Sequence, residues 1–240
     1  VARAFPSQLL HVGGDEVNFA CWNTSAKIRS AMAARSLPLT EAGYTSLWGE
    51  FQGKLDTIIA SQDRTMVKWD DSFEAGLAGN NATVIQVWHG LDMLSQVVKA
   101  GHRAILSNYD ALYLDCGGGN WITGGDSWCA PFKSWQTVWG NEPLNDTSLT
   151  AAERARVLGS EACLWGERVD ESNLDPKAWP RAAALAERLW SSSEFLDKTT
   201  WQEATPRILA QRERLVARGV RAAPLQPRFC LQNPGACPPS

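Results

Sequence analysis

The sequence is short of positive charge, of long apolar runs and of metal-binding spacings. Its 240 residues carry 23 Lys and Arg against 26 Asp and Glu, a net charge of −3. No excess positive field exists to recruit a phosphate backbone, so nucleic acid is not an expected partner. No apolar stretch approaches the ~20 residues needed to cross a bilayer. The opening residues, VARAFPSQLL, lack the basic flank and apolar stretch of a secretory leader. Neither a membrane span nor a signal peptide is expected within the sequence. None of the cysteines has the two-residue spacing of a zinc or redox motif, so no metal is expected either. Tyrosine is scarce at 3 residues while tryptophan reaches 12. That bias suits large flat apolar walls with one hydrogen-bond donor each, the kind that sugar-binding clefts use.

What is present is ordinary globular material: 44 % hydrophobic and 20 % charged residues, enough to close a core over most of the length. Cys230 and Cys237 enclose LQNPGA, whose Pro234-Gly235 turn can bring them together, and Cys116 and Cys129 bracket GGGNWITGGDSW. Two local disulfides are expected. Cys163, in the apolar run EACLW, reads as a buried small hydrophobe, which leaves Cys21 without a partner in the sequence. Three Asn-x-Ser/Thr sequons, at Asn23, Asn81 and Asn145, join the cysteines in favouring the secretory pathway.

Short β-branched runs recur between helix-patterned segments: LLHV at 9–12, TMVKW at 65–69, TVIQVW at 83–88, RAILS at 103–107 and EACLW at 161–165. Leu47, Phe51, Leu55 and Ile59 place one apolar stripe along a helix of roughly 41–62. Further helices are expected near 24–35, 91–100, 178–190 and 199–218. Each strand candidate runs into polar or aromatic residues at its C-terminal end: Asp15-Glu16, Asp70-Asp71, His89, Asn108 and Glu167. This is the α/β pattern of a (β/α)8 TIM barrel, whose active site is built at that face. Five strands are legible where eight close the ring. Residues 1–222 therefore read as about strands 4 to 8 of a barrel whose remaining strands lie upstream, and 223–240 as a disulfide-stapled tail.

The first strand delivers His11-Val12-Gly13-Gly14-Asp15-Glu16. Two glycines permit a sharp exit, and two carboxylates follow. An Asp-Glu dipeptide is usually solvated surface charge. Behind an apolar strand and a glycine pair it can instead hold one carboxyl protonated near neutral pH as a general acid, because like charges held close resist joint ionisation.

HVGGDEVNFACWN resembles the signature of the β-N-acetylhexosaminidases, family 20 of the glycoside hydrolases. VKWDD, IQVWHG, ALYLDCG, SWCAPFKSWQTVW, EACLWGERVD and WPRAAALAERLW follow in the family's order, and the cysteine-bracketed loop and tail look most like its fungal members. The resemblance implies a retaining enzyme that removes terminal non-reducing GlcNAc or GalNAc from chitooligosaccharides or glycoconjugates. Its nucleophile would be the substrate's own acetamido oxygen, and it would need no cofactor. Glu16 then matches the general acid/base and Asp15 the partner that orients the acetamido group. Trp69, Trp88 and Trp165, each placed at a strand end, match the indole walls, and Tyr113 the phenol that binds the acetamido carbonyl. Asp115 and Glu167 match acceptors for the sugar's 4- and 6-hydroxyls. The family's Trp-Gln-Glu or Trp-Glu-Glu is here Trp69-Asp70-Asp71, so no role carries over to Asp70. An arginine for the outer hydroxyls and a histidine–aspartate pair would belong to upstream strands, and a homodimer is among the assemblies implied. Two other readings stand beside this one. One is a non-catalytic sugar-binding or subunit-assembly remnant of the fold; the other is a lacto-N-biosidase-like relative that releases a disaccharide.

Overall fold

The structure, a computed structural model, describes residues 3–146, 148–192, 195, 198–233 and 235–237. Thr147 of the third sequon, Pro234 of the tail turn and the last three residues lie outside these. The chain divides into two compact units: residues 1–106 with 146–158, and residues 107–145 with 159–240.

Five strands, β1 (Leu9–His11), β2 (Thr65–Trp69), β3 (Val84–Val87), β4 (Arg103–Leu106) and β5 (Val157–Ser160), form one sheet in sequence order. The first four pair in parallel, Leu9 opposite Thr65, Val67 opposite Val84 and Val84 opposite Arg103. The β4–β5 edge is joined by the Ala104 N–H donating to the Arg156 carbonyl at 2.9 Å. Parallel strands in unbroken order with helices between them form a partial (β/α) barrel. Four strands fall where the sequence pattern puts them. The fifth lies earlier than EACLW, because Gly159 at φ 146° interrupts the apolar run VLGS that makes it. Within EACLW, Cys163 instead forms an isolated parallel bridge with Tyr113.

In the first unit the core lies between β3, β4 and a helix. Ile85, Val87, Ala104 and Leu106 pack against Leu94, Val97 and Val98, all buried. The expected helix near 24–35 is two, α1 (Phe19–Thr24) and α2 (Ala26–Ala33). Ser25 ends the first and caps the second, its hydroxyl accepting from the Ile28 N–H at 3.4 Å. Helix α3 (Glu41–Ala60) starts at Thr40, whose hydroxyl accepts from the Gly43 N–H. Its buried face carries Gly43, Tyr44, Trp48 and Gln52, whereas Phe51 is 60 % exposed. The buried stripe thus lies to one side of the Leu47–Ile59 row. Tyr44 and Trp48 offer more area to bury than leucine, and Gly43 lets the Pro38 carbonyl approach to where a Cβ would clash at 1.9 Å.

Next come α4 (Asp71–Glu74), directly after β2, and α5 (Leu91–Lys99), whose Met93, Leu94, Val97 and Val98 are buried. The second unit contains α6 (Tyr109–Leu112), α7 (Trp135–Gly140) and, further on, α10 (Arg181–Trp190) and α11 (Trp201–Ala217), with α8 (Ala151–Arg154) of the first unit and α9 (Leu174–Ala178) between. Trp135, Trp139, Ala184, Ala204 and Ile208 form one of its cores and Ala111, Leu112, Leu114, Val138 and Leu185 another. Arg181 is 3 % exposed, its guanidinium donating to the Lys133 carbonyl at 2.8 Å and the Lys177 carbonyl at 3.1 Å, and stacked 4.3 Å from the Phe132 ring. Disulfides join Cys116 to Cys129 and Cys230 to Cys237, with Cα separations of 5.4 and 5.5 Å. Cys21 and Cys163 are free thiols, and burial pushes the Cys163 thiol up to about 12.

Candidate active site

The chain leaves β1 through a turn that few sequences can make. Val12 donates to the Val67 carbonyl at 2.9 Å and Gly13 accepts from the Trp69 N–H at 3.2 Å, so the ladder to β2 continues past the strand's end. Then φ becomes positive at Gly13 (72°), Gly14 (102°) and Glu16 (50°). A Cβ at Gly14 would stand 2.5 Å from the Ser72 hydroxyl oxygen, so glycine is required there by space as well as by φ. Glu16 is a non-glycine residue in the left-handed region, a conformation shared among the described residues by Ser36 and Asp63. Asp15 and Glu16 are both exposed, side by side on this turn. The Glu16 N–H donates to the Asp71 Oδ1 at 2.9 Å.

The end of β2 meets the end of β3 around two carboxylates. Trp69 is buried, its ring 5.1 Å from that of His11, whose Nδ1 accepts from the Gly13 N–H at 3.0 Å. Asp70 is wholly buried. Its Oδ2 accepts from the His89 N–H at 3.2 Å and faces His89 Nδ1 at 3.0 Å, while its Oδ1 has no hydrogen-bond partner. Burial holds the Asp70 carboxyl above the usual carboxylate range, and His89 pulls the other way. Asp71 Oδ2 accepts from the Trp88 Nε1–H at 2.8 Å, and the Trp88 and His89 rings lie 3.8 Å apart. Sequence reasoning named Asp71 only as a polar residue at the end of the second strand and gave it no role.

In the second unit, Tyr113 is buried directly after α6 and is flanked by two indoles. The Trp165 ring lies at 6.0 Å and the Trp128 ring at 6.2 Å, edge-on at 87°. Trp165 does not end a strand, as the sequence reading had it; it precedes a short 3-10 turn, Gly166–Arg168, because β5 stops at Ser160. Its N–H donates to Asp115 Oδ1 at 3.2 Å. Burial pushes the Asp115 carboxyl up; Trp165's hydrogen bond lowers it, nearby Glu167 raises it and Lys177 lowers it. Glu167 itself is exposed. Trp128 was not named from sequence, and its place beside Cys129 was the available signal, since the Cys116–Cys129 bond fixes where that indole stands. The loop so closed is held at its base by Arg168, which donates to the carbonyls of Gly118 and Gly119. The sequon asparagines Asn23, Asn81 and Asn145 are all exposed.

Two groups of side chains bring ligand-type atoms within 4.8 Å of one another. In Asp115, Cys116 and Cys129 the sulfurs are already bonded to each other and offer no thiolate. In Asp70, Asp71 and His89, Asp70 Oδ2 is engaged with His89 and the Asp71 oxygens with Glu16 and Trp88, while Asp70 Oδ1 has no hydrogen-bond partner.

The sequence profile described as glycosyl hydrolase family 20, catalytic domain, matches residues 1–193. A barrel fragment with paired acids at a strand's end is the class of molecule this defines, and the chain belongs to glycosyl hydrolase family 20. It is 41 % identical over 245 residues to a chitooligosaccharidolytic beta-N-acetylglucosaminidase of Ostrinia furnacalis, covering 96 % of this chain and 39 % of that protein. A fungal relative, the probable beta-hexosaminidase of Arthroderma benhamiae, is 34 % identical, with 99 % and 42 % covered. Among solved structures, a mutant Streptomyces plicatus beta-hexosaminidase in complex with product (GlcNAc) superposes with a TM-score of 0.67 at 26 % identity, covering 95 % of this chain and 41 % of that one. The chain thus spans about two-fifths of the length of the curated relatives it matches.

Proposed function

We propose that this chain is the C-terminal part of a retaining exo-β-N-acetylhexosaminidase that hydrolyses terminal non-reducing GlcNAc or GalNAc in chitooligosaccharides or glycoconjugates. The observation that carries the reading is the placement of Asp15 and Glu16 side by side on one glycine-built turn at the end of a barrel strand. Most retaining glycosidases set two carboxylates about 5 Å apart on either side of the scissile bond, and neighbours on one turn are poorly placed to straddle a sugar. They suit the substrate-assisted route instead. Glu16 protonates the leaving oxygen while the acetamido oxygen attacks the anomeric carbon, giving an oxazolinium ion. Asp15 accepts the acetamido N–H and steadies the charge that develops there. Glu16 then takes a proton from water, which opens the ring with net retention.

Trp69 and Trp88 are assigned to the acetamido pocket and Trp165 to stacking on the sugar. Tyr113 is assigned to the acetamido carbonyl, Asp115 and Glu167 to the 4- and 6-hydroxyls. This chemistry calls on no metal or organic cofactor. A segment upstream in the same polypeptide is proposed to supply the three remaining strands, with an arginine for the outer hydroxyls. Passage through the secretory pathway, to the exterior or to a lysosome or vacuole, and a homodimeric assembly belong to the same reading.

The test is hydrolysis of an aryl GlcNAc by the full-length polypeptide that contains this chain. Turnover abolished by Glu16→Gln supports the reading. Binding of GlcNAc without turnover in the unmutated polypeptide sinks it in favour of a sugar-binding role.

A further inference from the structure

The Trp69-Asp70-Asp71 triplet, in which no role carries over from the family to Asp70, holds the next strand's end in a double grip. Asp70 takes hold of His89 through its backbone and ring nitrogens, and Asp71 takes hold of the Trp88 indole. Two neighbouring carboxylates at the end of β2 thus fix two neighbouring rings at the end of β3. Asp71 does one thing more. Its other oxygen accepts the N–H of Glu16 at 2.9 Å, at the residue whose φ is 50°. That N–H lies beyond the end of β1, and a side chain rather than a strand carbonyl accepts it. Ser72, next in the chain, packs beneath Gly14 of the same turn, its hydroxyl 3.4 Å from the Gly14 carbonyl.

We propose that Asp71 is a positioning residue which ties the general acid at Glu16 and the indole wall at Trp88 into one register. The inference rests on the catalytic reading above. Two converging N–H donors need two acceptor lone pairs from one short side chain, and a carboxylate supplies both with charge-assisted bonds. Asparagine supplies one oxygen and turns an NH2 group towards the other donor. Because Asp71 acts through the backbone of Glu16, it sets where the acid's proton is delivered. Through Trp88 it sets the shape of the pocket that presents the acetamido oxygen for attack. Near-attack geometry is sensitive enough that a displacement of about 1 Å costs on the order of 10²-fold in rate.

The experiment is a double-mutant cycle of Asp71→Asn and Trp88→Phe in the full-length polypeptide. It uses two aryl GlcNAc substrates, one with a poor leaving group that needs protonation and one with an activated leaving group that does not. Asp71→Asn is expected to lower kcat by on the order of 10²-fold on the poor leaving group and by much less on the activated one. A merely structural role would not produce that split. Trp88→Phe removes the indole donor but leaves Asp71 free to hold Glu16, so it is expected to raise KM on both substrates. In its background, Asp71→Asn should raise KM no further while still lowering kcat on the poor leaving group. Equal losses on both substrates, or effects of the two substitutions on KM that simply multiply, would overturn the inference. A polypeptide that fails to hydrolyse either substrate before mutation overturns the catalytic reading and this inference together. One inactivated by Glu16→Gln but unaffected by Asp71→Asn overturns this inference alone.

Discussion

At the scale of single residues, the roles proposed for charge and for indole area can be probed separately. Asp115 is half-buried and accepts from the Trp165 N–H, and burial raises its pKa. If its carboxylate faces the 6-position of the sugar, Asp115 repels a 6-sulfate only while it is itself ionised. Discrimination against a 6-sulfated aryl GlcNAc should therefore grow as pH rises through this raised pKa and shrink below it. In Asp115→Asn the ratio of kcat/KM for unsulfated to sulfated substrate should be smaller and vary less over that pH range. A ratio unchanged by the substitution would remove Asp115 from that role. Trp165 is 38 % exposed, as a stacking platform has to be. Trp165→Ala should weaken ground state and transition state together, so that KM rises along with a fall in kcat/KM of roughly 10-fold or more, consistent with an aromatic contact of about 1–3 kcal/mol per ring. An unaltered KM in steady-state kinetics would speak against stacking there.

At the scale of elements, the acid-bearing turn and helix α5 make the clearest tests. Gly14→Ala places a methyl group 2.5 Å from the Ser72 hydroxyl at a φ of 102°. It is expected to cost about 1–3 kcal/mol in unfolding free energy and to depress kcat beyond what that loss explains, as urea titration and kinetics would show. On α5, Ser95 donates to Asp146 Oδ2 at 2.6 Å and the Ser148 N–H to its Oδ1 at 2.7 Å, which lowers the Asp146 carboxyl from 3.8 to about 2. A depressed folded-state pKa stabilises fully above the ordinary value and loses that contribution as pH falls towards about 2. Asp146→Asn should accordingly be less stable than its parent at pH above 3.8 and converge with it near pH 2 in chemical denaturation. These elements also show what a sequence can reveal. β2 and β3 were legible because TMVKW and TVIQVW are runs rich in β-branched residues that no glycine or proline interrupts, and the Asp15-Glu16 turn because two glycines announce it. β5 was misplaced because a glycine splits its run, and the buried face of α3 because a leucine-spaced row outranked Tyr44 and Trp48. The contact of Asp71, by contrast, stayed hidden because the Glu16 N–H it accepts is 55 positions away, a relation no local pattern carries.

At the scale of the whole molecule, burial falls off from the middle of the sheet towards its edges. Val84, Ile85 and Val87 of β3 are completely inaccessible, whereas Leu9 and Leu10 of β1 are only partly buried and Leu158 of β5 is 46 % exposed. A parallel sheet is stable when both of its faces and its edges are covered, which in a barrel is achieved by closing the ring. β1 is joined to β2 and, among the described residues, to no other strand. Its outward backbone groups must therefore find water or another strand. This predicts a gradient in amide hydrogen exchange for the 240-residue chain studied alone, with β3 amides protected and β1 amides exchanging far faster through local opening. In a longer polypeptide whose upstream strands pair with β1, those same amides should slow towards the β3 level while the β3 amides change little. If β1 were equally protected with and without the upstream segment, its edge would already be satisfied within this chain, and the proposal that further strands close the barrel against it would fall.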